Sequence, residues 1–179
     1  QSASAAAGES GNWTVQLPAM ESSSVPAQMT IAGSGGEEVI KFENILVGDV
    51  WVLGGQSNMQ WGIGGVNEGN LEVASANFPN MRMLTIPKIF GPELKSNFPR
   101  AEEFSRITGE EQHAGDWQIC SPETVGSMSA IGYVMARRIH LASQVPVGIV
   151  NTSRGGTTVE AWTPLARLRE IDTPEVKAR

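Results

Sequence analysis

The chain has 179 residues, of which 40% are hydrophobic and 18% are charged, with thirteen Lys and Arg against nineteen Asp and Glu. This composition is typical of a globular domain with a substantial core and excludes an intrinsically disordered chain. The net charge of −6, without a cluster of Lys and Arg, argues against a nucleic-acid partner. No apolar run reaches the roughly eighteen residues of a membrane span, so we expect no contact with a membrane.

The N-terminal residues and the single cysteine bear on the cellular compartment. The sequence QSASAAAGES lacks the basic and apolar regions of a signal peptide. We interpret residues 1–12 as a disordered tail, with a remnant left after a cleavage site as the alternative. Cys120 alone excludes an internal disulfide and is interpreted as a packed thiol. We favour a secreted or periplasmic location over a cytoplasmic one.

Residues 13–44 are predicted to form a small β-rich segment. WTVQL alternates apolar and polar residues, which favours a half-exposed strand, and PAQMTIAG and EEVIKFENI follow around the turn GSGG. Because so few strands cannot bury both faces alone, we expect this segment to belong to a sandwich or an appendage.

Residues 45–179 are predicted to form the main domain, whose apolar runs indicate buried strands. The first run, ILVGDVWVLGG, begins at Ile45 and is typical of a strand covered on both faces. Residues 87–116 lack a clear period and are predicted to be a long irregular excursion. The further predicted strands are MRMLTI (81–86), DWQIC (116–120) and VPVGIVNTS (145–153).

A helix is predicted over residues 127–143, with Ser127 or Ser129 as its cap. Apolar residues recur there at steps of three and four, which places them on one face. The residues of this face are Met128, Ile131, Met135, Ile139 and Ala142. A helix between two buried strands indicates a parallel crossover, and therefore an α/β fold.

Ser57 follows a predicted strand end at Gly54 and Gly55. Ligands bind beyond the carboxyl ends of parallel strands, so a serine there can present both its hydroxyl and its backbone N–H to a crevice. This combination suits acyl transfer. The alternative is a turn followed by a helix cap. The G-x-S-x-G elbow is excluded, because Met59 occupies the place of its second glycine.

A second glycine pair follows another predicted strand, in NTSRGGTTVEAW. Gly155 and Gly156 can offer an unhindered N–H toward the same crevice. The alternative is a strand-to-helix turn without chemistry.

Four segments, GDVWVLGGQSNMQW, SPETVGSMSAIGYVMARRIH, VPVGIV and RGGTTVEAW, occur in this order and resemble the sialate O-acetylesterase family. That family is a branch of the SGNH (GDSL-like) serine esterases, and the resemblance covers most of residues 13–165. It implies a flavodoxin-like, three-layer α/β/α domain with a small β-rich N-terminal segment. It also implies removal of O-acetyl groups from carbohydrates, most simply sialic acid esters, without a metal or another cofactor.

The resemblance implies a Ser-His-Asp mechanism in which Ser57 is the nucleophile. Its N–H and that of Gly155 or Gly156 would bind the oxyanion. The family's Q-G-E and D-x-x-H segments do not occur in this sequence. His140 is interpreted as structural or solvated, and the surroundings of His113 do not match the family. We therefore expect this chain to be the N-terminal portion of an esterase, completed by downstream sequence or a second chain, and inactive alone.

Five residues beside the motifs are candidates for substrate binding. Gln56 and Asn58 flank the serine, and Arg154 can hold a substrate carboxylate or form a surface salt bridge. Trp61 and Trp162 can stack on a sugar ring or belong to the core. Two rival functions stay open: an acetylxylan esterase of the same superfamily, and a noncatalytic carbohydrate-binding module.

Overall fold

The computed structural model describes residues 1–35, 39–89, 91, 93, 95–104, 111–171, 173 and 174. Backbone contacts divide the chain into two compact units, residues 1–47 and 48–179. Among the described residues, no helix is both long enough and apolar enough to cross a membrane.

The first unit contains one antiparallel pair of strands. Strand β1 (Ser23–Ile31) pairs with β2 (Ile40–Val47), and the register shifts twice along β1. The strand predicted at 13–17 is wrong, because this segment joins no ladder and its Trp13 and Leu17 side chains are exposed. Alternation alone does not create a strand when no neighbour supplies hydrogen bonds. The disordered state of residues 1–12 stays a prediction.

The second unit is a mixed α/β structure, which confirms the predicted fold class. Its strands are β3 (Asp49–Leu53), β4 (Phe78–Thr85), β5 (Ala101–Phe104), β6 (Glu111–Ala114), β7 (Trp117–Cys120) and β8 (Val147–Asn151). Its helices are α1 (Ser57–Gln60), α2 (Gly69–Ala74), α3 (Pro122–Val125), α4 (Ala130–Ser143) and α5 (Leu165–Glu170). Two 3₁₀ turns cover Ile63–Gly65 and Val159–Trp162.

The main sheet has the strand order β3-β8-β4-β7. Strand β8 runs parallel to both β3 and β4, whereas β7 is antiparallel to β4. Parallel pairing is therefore present, but the predicted parallel crossover through the long helix is wrong in detail: α4 directly connects β7 to β8, which run in opposite directions. The excursion at 87–116 is more ordered than predicted, because β5 and β6 form a two-stranded antiparallel sheet within it.

Helix α4 packs on one face of the main sheet, where it covers the core side chains of β4 and β8. Ser129 caps it by accepting a hydrogen bond from the Gly132 N–H. The predicted apolar face is partly wrong, since Ile131 and Ala142 are exposed. The buried stripe contains Gly132, Tyr133, Ala136 and His140 instead. Its small residues let the helix axis approach the sheet, which larger apolar side chains would prevent.

The first turn of α4 also lies close to the end of β3. A Cβ atom added to Gly132 would lie 2.1 Å from Cδ1 of Leu53, the last residue of β3. Leu53 is only 4% exposed. The end of β3, where the predicted site begins, is thus held against the first turn of α4.

The rest of β3 is exposed, which contradicts the prediction of a strand covered on both faces. Val50 and Val52 are 62% and 67% exposed. They lie on the sheet face opposite Leu53, because successive side chains of a strand alternate. Trp117 and Ile119 of β7 are also exposed. The sequence predicts burial because these side chains are apolar, yet all four are more than 40% exposed.

Candidate active site

The exit of β3 turns sharply before the serine. Gly55 has φ +141°, a conformation that side-chain-bearing residues rarely adopt, and a Cβ there would lie 3.2 Å from the Met59 Cβ. Helix α1 begins two residues later at Ser57, whose side chain is exposed. The predicted turn after β3 is thus present, and Gly55 is the residue whose positive φ requires glycine.

Helix α1 has only four residues, so its position depends on tertiary contacts rather than on helix propensity. On one side it is fixed to the start of α4. The buried Ser129 hydroxyl donates to the Met59 sulfur at 3.4 Å, and the Ala130 N–H donates to the Trp61 carbonyl at 2.8 Å. These contacts place Ser57 above the carboxyl edge of the sheet.

The exit of β8 is organised by its own polar side chains. The buried Asn151 accepts hydrogen bonds through Oδ1 from the N–H and the hydroxyl of Ser153, at 3.1 and 2.6 Å. The Thr157 hydroxyl then donates to the Arg154 carbonyl at 2.7 Å. This local bonding fixes the turn that carries Gly155.

Backbone hydrogen bonds join the two exits directly. The Thr152 N–H donates to the Leu53 carbonyl at 3.1 Å, and the Arg154 N–H donates to the Gly55 carbonyl at 2.8 Å. The register of β3 and β8, which pairs Leu53 with Asn151, ends both strands at the same level. The two glycine-bearing turns therefore lie side by side.

The serine and the second glycine turn are in contact distance. A Cβ added to Gly155 would lie 3.7 Å from Ser57 Oγ and 3.6 Å from Ser57 Cα. The structure thus brings together the two sites that the sequence placed in one crevice. Gly156 adopts φ +79°, with open space around the position of a Cβ.

The space between the Ser57 turn and the Gly155 turn is called the hollow below. Some of its polar groups already form hydrogen bonds within the protein. Ser57 Oγ donates to Gln56 Oε1 at 2.6 Å, and the Gly155 N–H donates to Gln60 Oε1. In the described part of the chain, the N–H groups of Ser57 and Gly156 donate to no protein acceptor. A neutral amide oxygen such as that of Gln56 orients a hydroxyl but is far too weak a base to remove its proton.

Two part-exposed tryptophans follow the two motifs: Trp61 comes directly after α1, and Trp162 ends the second 3₁₀ turn. Trp162 lies over the first turn, since a Cβ on Gly54 would be 3.7 Å from its ring. Its Nε1–H donates to Thr157 Oγ1 at 2.8 Å, while that of Trp61 donates to the Gly65 carbonyl at 3.0 Å. Trp162 and Trp61 are 40% and 46% exposed, so neither is a core residue.

The remaining candidates for substrate binding lie at the same edge of the sheet. Asn58 is exposed in α1, directly after the serine. Arg154 is half-buried, and its backbone belongs to the cross-links between the two exits. A contact of either side chain with substrate stays a prediction.

Neither histidine lies in hydrogen-bond contact with Ser57 among the described residues. His140 is buried in α4, where Nδ1 lies 2.7 Å from the Val145 carbonyl. His113 Nδ1 lies 2.5 Å from Glu102 Oε1 across the β5–β6 pair. Cys120 is completely buried, and burial raises the pKa of its thiol to about 11. The described residues include no group of three or more side chains suited to hold a metal ion.

Gln60 and Thr152 are the site residues that sequence reasoning missed. Both connect the two exits, Gln60 through its side chain and Thr152 through its N–H and hydroxyl. The spacing of Gln60, three residues after Ser57 on a helix, was a usable signal, because such residues share a face. Thr152 carries no comparable signal in the sequence.

Comparisons with known proteins show which family this chain resembles. The family model described as carbohydrate esterase, sialic acid-specific acetylesterase matches residues 47–171. A solved carbohydrate acetylesterase from Xanthomonas citri is 31% identical, with a TM-score of 0.75, over 90% of this chain and 34% of that chain.

Curated relatives extend the match to mammals. The sialate O-acetylesterase of Mus musculus is 25% identical over 94% of this chain and 30% of its own length. The human sialate O-acetylesterase is 26% identical over 93% of this chain and 31% of its own length. This chain thus spans about a third of the proteins that it matches. Since the family model covers most of its residues, the chain belongs to the carbohydrate esterase family of sialic acid-specific acetylesterases.

Proposed function

We propose that this chain carries the nucleophile of a serine esterase that removes O-acetyl groups from carbohydrates, with sialic acid O-acetyl esters as the first substrate class. The observation that carries the proposal is that the exposed Ser57 lies beside the Gly155 turn. A Cβ atom added to Gly155 would be 3.7 Å from Ser57 Oγ. Membership of the acetylesterase family supports the same chemistry.

In the proposed reaction, Ser57 Oγ attacks the acetyl carbonyl carbon while a histidine base takes the hydroxyl proton. The carbonyl oxygen becomes an oxyanion, for which the Ser57 and Gly156 N–H groups are available donors. The Gly155 N–H can contribute only after it leaves Gln60. The same histidine protonates the departing sugar oxygen. Water then hydrolyses the acetyl-Ser57 ester, which releases acetate and restores the serine.

The histidine and the aspartate of this mechanism are proposed to come from the rest of the esterase, as downstream sequence or a second chain. His140 is bonded to a backbone carbonyl, and His113 pairs with Glu102 in the β5–β6 sheet. A serine without its base is a weak nucleophile. We therefore expect residues 1–179 alone to release little acetate.

The exposed sheet face supports an incomplete domain. Val50, Val52, Trp117 and Ile119 are apolar and between 43% and 67% exposed. Monomeric proteins rarely leave such patches uncovered. Because the chain spans 30% of the mouse relative, we propose that the remaining portion of the enzyme covers this face. That portion would also supply the third layer of the expected α/β/α domain.

Ser57→Ala tests the proposal in the protein expressed from its complete reading frame. We expect the variant to lose nearly all acetate release from O-acetylated sialic acid, because it lacks the attacking oxygen. Ser96→Ala, at an exposed serine outside the site, is the matched control and should keep wild-type activity. Unchanged acetate release by Ser57→Ala, with the same thermal unfolding as wild type, would refute the assignment.

Two alternatives differ in what the same measurements show. An acetylxylan esterase would also lose activity with Ser57→Ala, but its wild type would prefer acetylated xylan over acetylated sialic acid. A noncatalytic carbohydrate-binding module would release no acetate, and its sugar affinity would depend on Trp61 or Trp162, whose rings are part-exposed. A secreted or periplasmic location stays a prediction, to be tested by fractionation.

A further inference from the structure

Gln60 joins the helix of the serine to the turn of the second glycine pair. Its side-chain Oε1 accepts the Gly155 N–H, and a Cβ on Gly155 would lie only 2.6 Å from this oxygen. The same Cβ position is 3.7 Å from Ser57 Oγ. The Gln60 amide and the Ser57 hydroxyl therefore border one small volume beside Gly155.

This contact fixes the side of α1 that faces β8. On the other side, α1 is held to α4 through Met59 and Trp61. Toward the β8 turn, the bond from the Gly155 N–H to Gln60 is the one hydrogen bond that α1 itself makes among the described residues. Among the described residues, Gln60 Nε2 donates to no acceptor, so the amide has no second anchor. Without Gln60, the tie toward β8 would be the bond from the Arg154 N–H to the Gly55 carbonyl, which precedes the helix, so the end of this short helix would be freer to tilt and Ser57 would move with it.

We propose that Gln60 is a positioning residue that sets the distance between the Ser57 hydroxyl and the β8 turn. The inference rests on the proposed function, because it concerns the reactivity of Ser57. It also explains residue 155, since only glycine leaves room for the Gln60 oxygen. The Gly155 N–H is thereby committed to holding the site together, which leaves Gly156 as the donor from this turn.

The decisive variant is Gln60→Met, which keeps the length of the side chain but removes the acceptor. Gln16→Met, at an exposed glutamine in the other unit, is the matched control. Both are measured in the protein from the complete reading frame, by the rate at which a fluorophosphonate labels Ser57 and by acetate release. Labelling reports on the serine whatever its natural ester is.

We expect Gln60→Met to lower the labelling rate and kcat by roughly ten- to a hundred-fold, the cost of misplacing a reacting group by about 1 Å. KM should change by less than about threefold, because Gln60 does not hold the sugar. The melting temperature should stay close to that of wild type. If Gln60 had only a structural role, a loss in kcat would come with a lower melting temperature. The control should match wild type in all three.

Gly155→Ala provides a second, independent variant, because its methyl group displaces the Gln60 oxygen without changing Gln60 itself. Adding Gln60→Met to Gly155→Ala should cost little more than Gly155→Ala alone. Losses that multiply would overturn the proposal. The proposal would also be overturned if the Gln60→Met variant were labelled as fast as wild type or faster. In that case Gln60 would only occupy the Gly155 N–H and would not position Ser57. A wild type that labels at Ser57 but deacetylates no sugar refutes only the proposed substrate; one that does not label refutes both.

Discussion

The close contact between Leu53 and Gly132 offers a quantitative test of how the site is supported. Leu53 is 4% exposed, so Leu53→Ala should lower the free energy of unfolding by about 2–5 kcal/mol. In Gly132→Ala, the new Cβ would lie 2.1 Å from Leu53 Cδ1 and 3.1 Å from Cδ2. Such overpacking costs about 1–3 kcal/mol. The better helix propensity of alanine returns about 1 kcal/mol.

The double variant separates these contributions. When residue 53 is already alanine, the Leu53 Cδ1, Cδ2 and Cγ atoms that the Cβ at position 132 would meet are gone, so the gain in helix propensity dominates. Gly132→Ala should then stabilise the protein by about 1 kcal/mol. The coupling between the two substitutions is therefore expected to be about 1–3 kcal/mol.

Urea unfolding of wild type, both single variants and the double variant measures this coupling. Additivity within about 0.5 kcal/mol would show that α4 does not press on the end of β3, and the reasoning would fail. Because Leu53 directly precedes the turn to Ser57, Gly132→Ala should also slow fluorophosphonate labelling, and Leu53→Ala in the same chain should restore part of the rate.

Two further predictions concern groups buried away from the hollow. His140→Ala removes the contact with the Val145 carbonyl, so it should cost about 1–3 kcal/mol in urea unfolding yet leave kcat within about twofold, and a large loss in kcat at unchanged stability would contradict the structural role. The Cys120 pKa is raised to about 11, so the unfolded chain loses its thiol proton first as the pH rises. Stability should therefore fall between about pH 9 and pH 11, and a comparison with Cys120→Ala should show a shallower fall in the variant; equal slopes would refute the assignment.

The sequence predicted those features whose signals are local. Strand β8 and the C-terminal end of α4 at Ser143 follow from local sequence signals, and Ser129, the observed cap, is one of the two serines that capping chemistry indicated. The glycine turns were predictable for a similar reason, because a residue such as Gly55 meets a backbone requirement that the sequence itself displays.

Features that depend on distant partners were missed. The alternation at 13–17 is as regular as that of a strand, yet no neighbouring strand pairs with it. The buried face of α4 was predicted wrongly because it contains the small residues Gly132 and Ala136. The prediction considered only the spacing of apolar residues and did not include these two. Gln60 escaped notice because its partner, Gly155, lies in another segment that only the folded sheet brings close.

The hollow itself arises from the order of strands in the sheet. Strands β3 and β8 are neighbours in space, although β4 to β7 separate them along the chain. Their parallel register places Leu53 beside Asn151, so each motif turns away from the sheet at the same height. Each turn alone could have a purely structural role: the first as a helix cap, the second as a strand-to-helix connection. The reactivity proposed for Ser57 therefore depends on long-range pairing: a variant that shifts β3 against β8 by one residue should abolish activity even with every motif residue intact.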